Sequence, residues 1–318
     1  MGVYDVSGVN LNDIAFNVSG SLLSEAYDID ENPLFDNGLQ IVPDQASGTA
    51  SGKTFIMDNP SLVYPMYEVV DFGQESYQSF CYDPDRNRFY KFDGSTTVKI
   101  YDSSFQLTGT ITLPESAGHT GDNCYYNGKV YFPGDIYSDG IYVWDIEHNT
   151  VEILPVYGVP EPTSAPDRIM GGICNVPNEP GFLYIVYADR QTNAVEHVQG
   201  DKLLVCKYEI ATNIAEVIAS YDWDCVYLQG CTISNGVLYA TCNSPTTGQP
   251  SNYTGITLKA FRTDDWAELP SLHAYGSFEP EGMINYPYGD VPQIIMGIAK
   301  YSEFSISTRF SVPYRLIK

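Results

Sequence analysis

From about residue 60 onward, the chain repeats one unit of short strand-like runs separated by turn residues. Each unit begins with a run rich in small residues, continues with two amphipathic runs, and ends with a fourth run before the next unit. The five beginning runs are SFCYD, DNCYY, GGICNV, LQGCTIS and EPEGMINY. Successive units lie roughly 40 to 65 residues apart, and four antiparallel strands per unit at this period are typical of a propeller blade.

Turn chemistry and strand count support a closed ring. Asn127-Gly128 and Asn235-Gly236 separate the first two runs of their units, as a tight hairpin requires. The last unit has only three strands. The strand-like run MYEVVDF, which starts at Met66, lies before the first unit and belongs to no unit. Pairing that N-terminal strand into the last unit would remove exposed edges. We therefore predict an all-β, five-bladed β-propeller of four-stranded antiparallel blades over residues 53–318.

The N-terminal region has a different, shorter repeat. YDVSGVNL, FNVSGSLL and YDIDENPL share an aromatic residue, Asp or Asn, then Val or Ile, and a later Leu. Each copy is too short to bury a core alone, so the copies must stack on each other or on another chain. We predict a tether or assembly segment over residues 1–37, with a disordered leader as the alternative. Residues 38–52 are rich in Gly, Ser and Ala and read as a linker.

The charge of the chain narrows its partners. Forty acidic residues stand against 16 basic ones, a formal net charge of −24. Such a surface repels nucleic acid and anionic membranes, so we expect neither as a partner. No run of 18 apolar residues and no secretion signal is present. These features predict a protein without membrane insertion, either cytoplasmic or carried on a virion or prophage tail.

The seven cysteines form no CxxC pair and most lie inside strand-like runs. Free cysteine behaves as a small apolar residue and is usually buried. Buried reduced thiols are therefore expected.

The candidate site follows from blade topology. First strands of a propeller lie beside the central channel, and the loops that precede them open on one face. The long irregular segments of this chain belong to that face, which is where ligand contact is expected. The polar and aromatic candidates there are Gln78, His119, Asp122, Arg168, Gln229, Glu279, Glu281, Tyr77, Trp223 and Tyr275. Each has a structural alternative, because polar residues in a channel also hydrate it or join neighbouring blades by hydrogen bonds.

At YQSFCYDPDRNRFY, LQGCTISNGVLYA and EPEGMINY, the chain resembles a β-propeller family. That family comprises receptor-binding proteins of phages of Gram-positive hosts and teichoic acid biosynthesis protein C-like proteins. The leader repeats resemble N-terminal segments of phage tail-associated proteins. The resemblance implies binding to a cell-surface glycan or teichoic acid at the bacterial surface, with Gln78, Gln229, Glu279 and Glu281 at the matching positions. It also implies contact with other tail proteins, or with further copies of the chain, through residues 1–37.

Three functions remain open at this point. The first is non-enzymatic glycan binding; because the chain is so acidic, a polyanionic teichoic acid would need a basic patch or bridging Ca²⁺. The second is a polysaccharide hydrolase or lyase that uses Asp122 with Glu279 or Glu281, and His119 nearby, since glycoside hydrolysis needs two carboxyls. The third is a purely structural tail component. The sequence predicts no other cofactor.

Overall fold

The computed structural model describes most of the chain after residue 62 and two short segments before it. The described residues are 40–41, 53–57, 63–73, 75, 77–114, 121–133, 140–160, 167–175, 178–190, 202–223, 225, 227–243, 255–275, 279–288, 291–300, 304–311 and 316–317. The predicted assembly repeats of residues 1–37 and most of the predicted linker lie outside them. Every regular element among the described residues is a strand, and none is a helix that could cross a membrane.

Three strands precede the repeated units. They are β1 (Gln40–Ile41), β2 (Lys53–Met57) and β3 (Val63–Asp71). Strands β2 and β3 pair as an antiparallel hairpin. The sequence predicted β3 as a strand but assigned none to β2.

Three separate four-stranded antiparallel sheets follow, each built from consecutive strands. The first contains β4 (Ser79–Asp83), β5 (Arg88–Phe92), β6 (Thr97–Asp102) and β7 (Leu107–Thr112). The second contains β8 (Cys124–Tyr126), β9 (Lys129–Pro133), β10 (Gly140–Asp145) and β11 (Thr150–Pro155). The third contains β12 (Asp167–Asn175), β13 (Phe182–Arg190), β14 (Lys202–Glu209) and β15 (Ile214–Asp222). These sheets match the first three predicted blades strand for strand.

The rest of the propeller forms one nine-stranded sheet. Its remaining strands are β16 (Leu228–Ser234), β17 (Val237–Asn243), β18 (Gly255–Arg262), β19 (Glu268–Tyr275), β20 (Glu279–Tyr288), β21 (Val291–Lys300) and β22 (Phe304–Ser311). The strand order is β16-β17-β18-β19-β2-β3-β22-β21-β20. A last strand, β23 (Leu316–Ile317), pairs with β1.

The prediction of five separate blades is therefore corrected to a β-propeller of four sheets. The physical reason is β2, which pairs with β19 at Leu272 and His273 and joins two groups of four strands into one sheet. The predicted pairing of the N-terminal strand is present, since β3 lies antiparallel to β22 from Tyr67 to Asp71.

The first strand of each unit lies around a common axis. The strands β4, β8, β12, β16 and β20, called first strands below, contact one another in that order, and β20 contacts β4 again. All five run in the same direction along the axis because each begins an antiparallel meander of the same sense. Their starts therefore share one face, called the strand-start face, and their ends share the opposite one.

Local chemistry explains the tight turns at the far ends of the first strands. Asn127 and Gly128 have φ of 49° and 79°, and Asn235 and Gly236 have φ of 50° and 76°. Both positions of a type I′ turn require positive φ, which Asn and Gly adopt at low cost. The hairpins predicted at these two sites are confirmed.

The core lies between neighbouring sheets. Trp144 of β10 is fully buried, and its ring meets Tyr90 of the preceding sheet edge to face at 5.1 Å. Phe92 and Phe132 pack in the same cluster. These residues come from the inward positions of strands whose alternate residues face the adjacent sheet. Burial on both faces of each sheet explains the high apolar content of the runs.

Candidate functional site

The predicted site residues divide into accessible and buried groups. Four are partly exposed and lie at or just before the starts of the first strands β4, β12, β16 and β20: Gln78, Arg168, Gln229 and Glu279. Four others are almost fully enclosed: Tyr77, Asp122, Trp223 and Glu281. His119 and the side chain of Tyr275 lie outside the described residues. Only the first group has surface that a ligand could contact directly.

Two neighbouring first strands place a polar cluster at the strand-start face. The amide Nε2 of Gln229 on β16 donates a hydrogen bond to Oε1 of Glu279 on β20, at 2.7 Å. Glu281 lies two residues further along β20, and alternate residues of a strand share a face. The two glutamates of the EPEG run therefore lie on the same face of β20, and Glu279 contacts Gln229, as the shared blade register predicted.

Burial controls the protonation of this cluster. It raises the pKa of Glu279 to about 7, while the hydrogen bond from Gln229 opposes the rise. Burial, with the nearby charge of Glu279, holds the pKa of Glu281 well above its usual range. Near neutral pH the pair consequently carries less than its formal charge of two, and a protonated carboxyl can donate as well as accept hydrogen bonds.

The contacts of Asp122 fit the structural alternative, in which a polar residue joins neighbouring blades by hydrogen bonds. Its Oδ1 accepts the backbone N–H of Asn123 at 3.0 Å, and its Oδ2 accepts that of Cys231 at 2.9 Å. It also accepts the backbone N–H of Met283. Complete burial raises the pKa of Asp122 well above its usual range, although these three donors lower it. The predicted place of Asp122 at an open channel mouth is corrected, because its side chain has no exposed surface.

Asp122 and Asn123, which directly precede β8, together contact all four of the remaining first strands. The N–H of Asp122 donates to the carbonyl of Gly171 on β12, and Nδ2 of Asn123 donates to Oγ of Ser79 on β4 at 2.5 Å. The carboxyl of Asp122 reaches β16 and β20, as described above. This pair of residues joins the five first strands at one level of the axis.

Two glycines make room for that carboxyl. A Cβ at Gly230 would lie 3.0 Å from Oδ2 of Asp122, and one at Gly282 would lie 3.0 Å from Oδ1. Gly282 also has φ of +45°, a conformation that other residues rarely adopt. The Gly of the LQG and EPEG runs is thus explained by close packing against Asp122.

Arg168 is held in an ion pair inside its own sheet. Its Nε and Nη2 donate to the two carboxylate oxygens of Asp189 on β13, at 2.6 and 2.9 Å. Its guanidinium also lies over the ring of Tyr187, 5.5 Å from the centroid. A bidentate pair of this kind fixes the side chain and leaves little charge for an anionic ligand.

The first sheet contributes an amide and a buried lysine. Gln78 donates from Nε2 to the carbonyl of Tyr77, and its Oε1 has no hydrogen-bond partner among the described residues. Lys91 is 1% exposed, and its Nζ lies 3.3 Å from Oε2 of Glu75 and 4.9 Å from the centre of the Phe72 ring. Burial lowers the pKa of Lys91. Sequence reasoning missed Lys91, because no local pattern separates it from an outward-facing strand lysine.

A cavity of about 640 Å³ lies on the axis beyond Asp122, towards the ends of the first strands. All five first strands line it. Its buried floor is formed by Cys81, Asn123, Cys124, Cys174, Cys231 and Met283, and its more exposed rim includes Tyr82, Asp85, Tyr126, Asn127, Asn175 and Asn285. The volume falls in the range of about 300 to 1,000 Å³ that small-molecule pockets occupy. We call this feature the axial cavity; it lies at the end opposite to the predicted site.

Sequence reasoning missed the axial cavity, although one signal for it is visible. Each beginning run carries a sulfur residue at its centre: Cys81, Cys124, Cys174, Cys231 or Met283. All five side chains line the cavity floor. A sulfur residue at the same place in every unit marks the positions that face the axis.

The cysteine prediction is confirmed for the four thiols of the cavity and for Cys206, which are free and buried. It is wrong for Cys225 and Cys242, which form a disulfide. Within the described ranges, no group of three His, Cys, Asp or Glu side chains is arranged to hold a metal ion. The suggestion of Ca²⁺ therefore remains a prediction.

Of the three carboxyls predicted for glycoside hydrolysis, Asp122 and Glu281 are buried, and Glu279 has surface that a substrate could contact. Asp122 is committed to backbone donors, and the two glutamates lie on one strand rather than across an open pocket. What the strand-start face does present is a partly exposed carboxyl and amide that can exchange hydrogen bonds with a ligand. Comparison with models of known protein families finds no match, and no curated protein sequence matches the chain.

Proposed function

We propose that this chain binds a cell-surface glycan without altering it chemically, as a receptor-binding protein associated with a phage or prophage tail. The observation that carries the proposal is the cluster of Gln229, Glu279 and Glu281 at the strand-start face. Amide groups and protonated carboxyls offer both donors and acceptors, which is what sugar hydroxyls require. The resemblance of the LQG and EPEG runs to phage receptor-binding propellers supports the tail association.

Charge favours a neutral glycan over a teichoic acid. The net charge of −24 repels a polyanion at long range. Arg168, the basic residue among the predicted site residues, is already paired with Asp189. A teichoic acid would need a bridging cation such as Ca²⁺. We therefore place neutral surface polysaccharides first among ligands.

For the architecture, we propose that the two groups of four strands that β2 joins in the nine-stranded sheet act as two blades, giving five in all. Their first strands, β16 and β20, contact each other in the ring in the same way as the other neighbours do. Residues 1–37 would then attach the propeller to other tail proteins or to further copies of the chain, and binding would occur at the bacterial surface.

The test is binding of purified host wall polysaccharide by the full chain, measured by calorimetry at pH 6 and pH 8. Glu279→Ala and Gln229→Ala should each weaken binding by about tenfold, since one well-formed hydrogen bond to a ligand has roughly that effect. Wild-type binding should weaken as the pH rises through about 7, where Glu279 ionises. Glu279→Gln should bind equally at both values.

The matched control is Glu216→Ala, which removes an exposed carboxyl from β15 in the outer part of the third sheet. It should bind as the wild type does. Equal losses in Glu216→Ala and Glu279→Ala would contradict a site at the strand-start face. Absence of binding to every surface polymer would favour the structural tail component instead.

One observation keeps hydrolysis as a second candidate. A pKa of about 7 for Glu279 suits a general acid at neutral pH. The enzyme would need a second carboxyl or His119 to complete the site. Release of new reducing ends or unsaturated products from the polysaccharide, abolished by Glu279→Gln, would establish it and displace the binding proposal.

A further inference from the structure

We propose that the axial cavity is a second ligand site, one that takes the acetamido group of a small uncharged molecule. The site lies at the opposite end of the axis from Gln229 and Glu279. It is therefore independent of the glycan contact proposed above, and either site can exist without the other. Three features of the cavity support this ligand: its floor, one buried amide and its rim.

The floor suits a methyl group. It is lined by four thiols and the thioether of Met283, all of which are almost completely buried. Burial holds the pKa values of Cys124 and Cys231 well above the ordinary thiol value, so these groups are uncharged at neutral pH. Soft sulfur groups and apolar carbons pack well against one another.

One polar atom at the floor lacks a partner. Asn123 is 1% exposed and lines the cavity, and its Nδ2 already donates to Ser79. Its Oδ1 accepts no hydrogen bond from any described residue. A buried acceptor without a donor is unfavourable, and the N–H of a ligand would satisfy it. A group with an N–H beside a methyl-bearing carbonyl is an acetamido group.

The rim suits the polar remainder of such a molecule. The side chains of Asn285 and Asn127 are exposed, and Asn175 is partly exposed. Their neighbours hold them: Oδ1 of Asn285 accepts from Oγ of Ser234 at 3.0 Å, and Nδ2 of Asn175 donates to the carbonyl of Tyr125 at 2.9 Å. The described residues that line the cavity include the carboxyl of Asp85 but no lysine or arginine, which disfavours an anionic ligand.

The test uses the cavity thiols of the unmodified full chain as reporters. Methyl methanethiosulfonate labels accessible thiols, and mass spectrometry of peptides measures the rate at each cysteine. N-Methylacetamide and N-acetylglucosamine should slow the labelling of Cys124 and Cys174 in a saturable manner. Cys206, which is buried but is not among the residues that line the cavity, provides the internal control and should not respond.

Matched compounds isolate the proposed hydrogen bond. N,N-Dimethylacetamide lacks the N–H, and glucose lacks the whole acetamido group; each should protect at a concentration about tenfold higher or not at all. Protection by N-acetylglucosamine alone would assign the site to an amino sugar. Protection by N-methylacetamide and N-acetylglucosamine at similar concentrations would assign the site to the acetamido group, whatever molecule carries it. Equal protection by N,N-dimethylacetamide, or no protection by any compound, would overturn the proposal.

Two variants are used, so that the test can still be made if one of them fails to fold. Asn123→Leu removes the acceptor at similar volume, and Cys174→Met fills the cavity while leaving Asn123 in place. Whichever of them folds, as judged by circular dichroism, should lose protection of Cys124; retained protection in a folded variant would contradict the site. Glu279→Ala should protect normally, so a failure here is distinguishable from a failure of the glycan proposal.

Discussion

Asp122 and Asn123 show how two adjacent side chains can organise a ring of strands. The Asp122 carboxyl accepts three backbone N–H groups, two of them from β16 and β20, and Asn123 extends the contacts to β4. Each of these donors is buried and would lack a partner without the carboxyl. The pair therefore contributes mainly to stability and to the mutual spacing of the first strands.

Removal of the Asp122 carboxyl should destabilise the fold severely. Asp122→Ala leaves three buried N–H groups unpaired and a void on the axis, so we expect the free energy of unfolding to fall by about 3 to 5 kcal/mol. Urea unfolding followed by tryptophan fluorescence measures the change. Asp264→Ala, in an exposed turn, is the control and should stay within about 0.5 kcal/mol of the wild type. Similar values for the two variants would contradict the proposed contacts.

Glu279 should make stability depend on pH. Its pKa rises from 4.5 to about 7 on folding, so the folded form favours the protonated group. The resulting stabilisation is complete below pH 4.5 and is lost as the pH rises through about 7, by at most about 3 kcal/mol. Urea unfolding from pH 4.5 to 8 should show a flatter profile for Glu279→Gln than for the wild type. Profiles of equal slope would show that Glu279 is not protonated preferentially in the folded state.

For individual residues, the sequence predicted which side chains lie close together better than it predicted how deeply each one is buried. The shared blade register brought Gln229 and Glu279 together correctly, because strand starts around one axis must converge. The blade register could not reveal that the Asp122 side chain is fully buried. Its burial depends on distances across the ring and on the close approach of Gly230 and Gly282, which have no side chains. The Oδ1 atom of Asn123, which accepts no hydrogen bond from a described residue, was hidden for the same reason.

Among the strands, β2 and β3 have the most consequence for the fold. They form a hairpin that lies between β19 and β22 and pairs with both. Without it, each of those strands would expose an unpaired edge. The hairpin thus converts an open row of sheets into a closed ring, using chain from before the first repeated unit.

Deletion of the hairpin should open the ring. A chain that begins at residue 72 lacks β2 and β3, whereas one that begins at residue 40 keeps them. We expect the shorter chain to aggregate, or to melt at least about 10 °C below the longer one, because two sheet edges lose their partners. Size-exclusion chromatography and thermal unfolding test this. Equal melting temperatures would show that β22 and β19 need no covering strand.

The difference between β2 and β3 shows what strand patterns can predict. MYEVVDF has the alternation of a half-buried strand, and the missing fourth strand of the last unit indicated where it belongs. KTFIM follows a stretch rich in Gly, Ser and Ala and has no unit to complete, so its pairing with Leu272 and His273 depends on contacts more than 200 residues apart along the chain. Such pairings leave no local signal.

For the molecule as a whole, the excess of acidic residues opposes compaction. A net charge of −24 on 318 residues produces mutual repulsion that the unfolded chain relieves by expanding. The same charge resists self-association and directs the protein away from anionic polymers. The fold class, an all-β propeller, was accessible from the repeat pattern, because it does not depend on precise distances.

Salt should therefore stabilise the protein. Raising NaCl from about 20 to about 300 mM shortens the Debye length several-fold, so we expect the melting temperature to rise by a few degrees. Choline chloride at equal ionic strength should have the same effect, which separates screening from specific sodium binding. A melting temperature that falls with both salts would mean that attractive ion pairs outweigh repulsion.

The double pairing of the β2–β3 hairpin also bears on mechanics. Tension applied through residues 1–37 would reach the short β1–β23 pair first and then β2, which is hydrogen-bonded on one side to β19 and continues through β3 to β22. Beyond that pair, a pull from the N-terminal side is thus shared by the fourth and fifth repeated units at once. Once the β1–β23 pair has separated, the hairpin would resist extraction along both of its edges, whereas a single edge strand would resist along one.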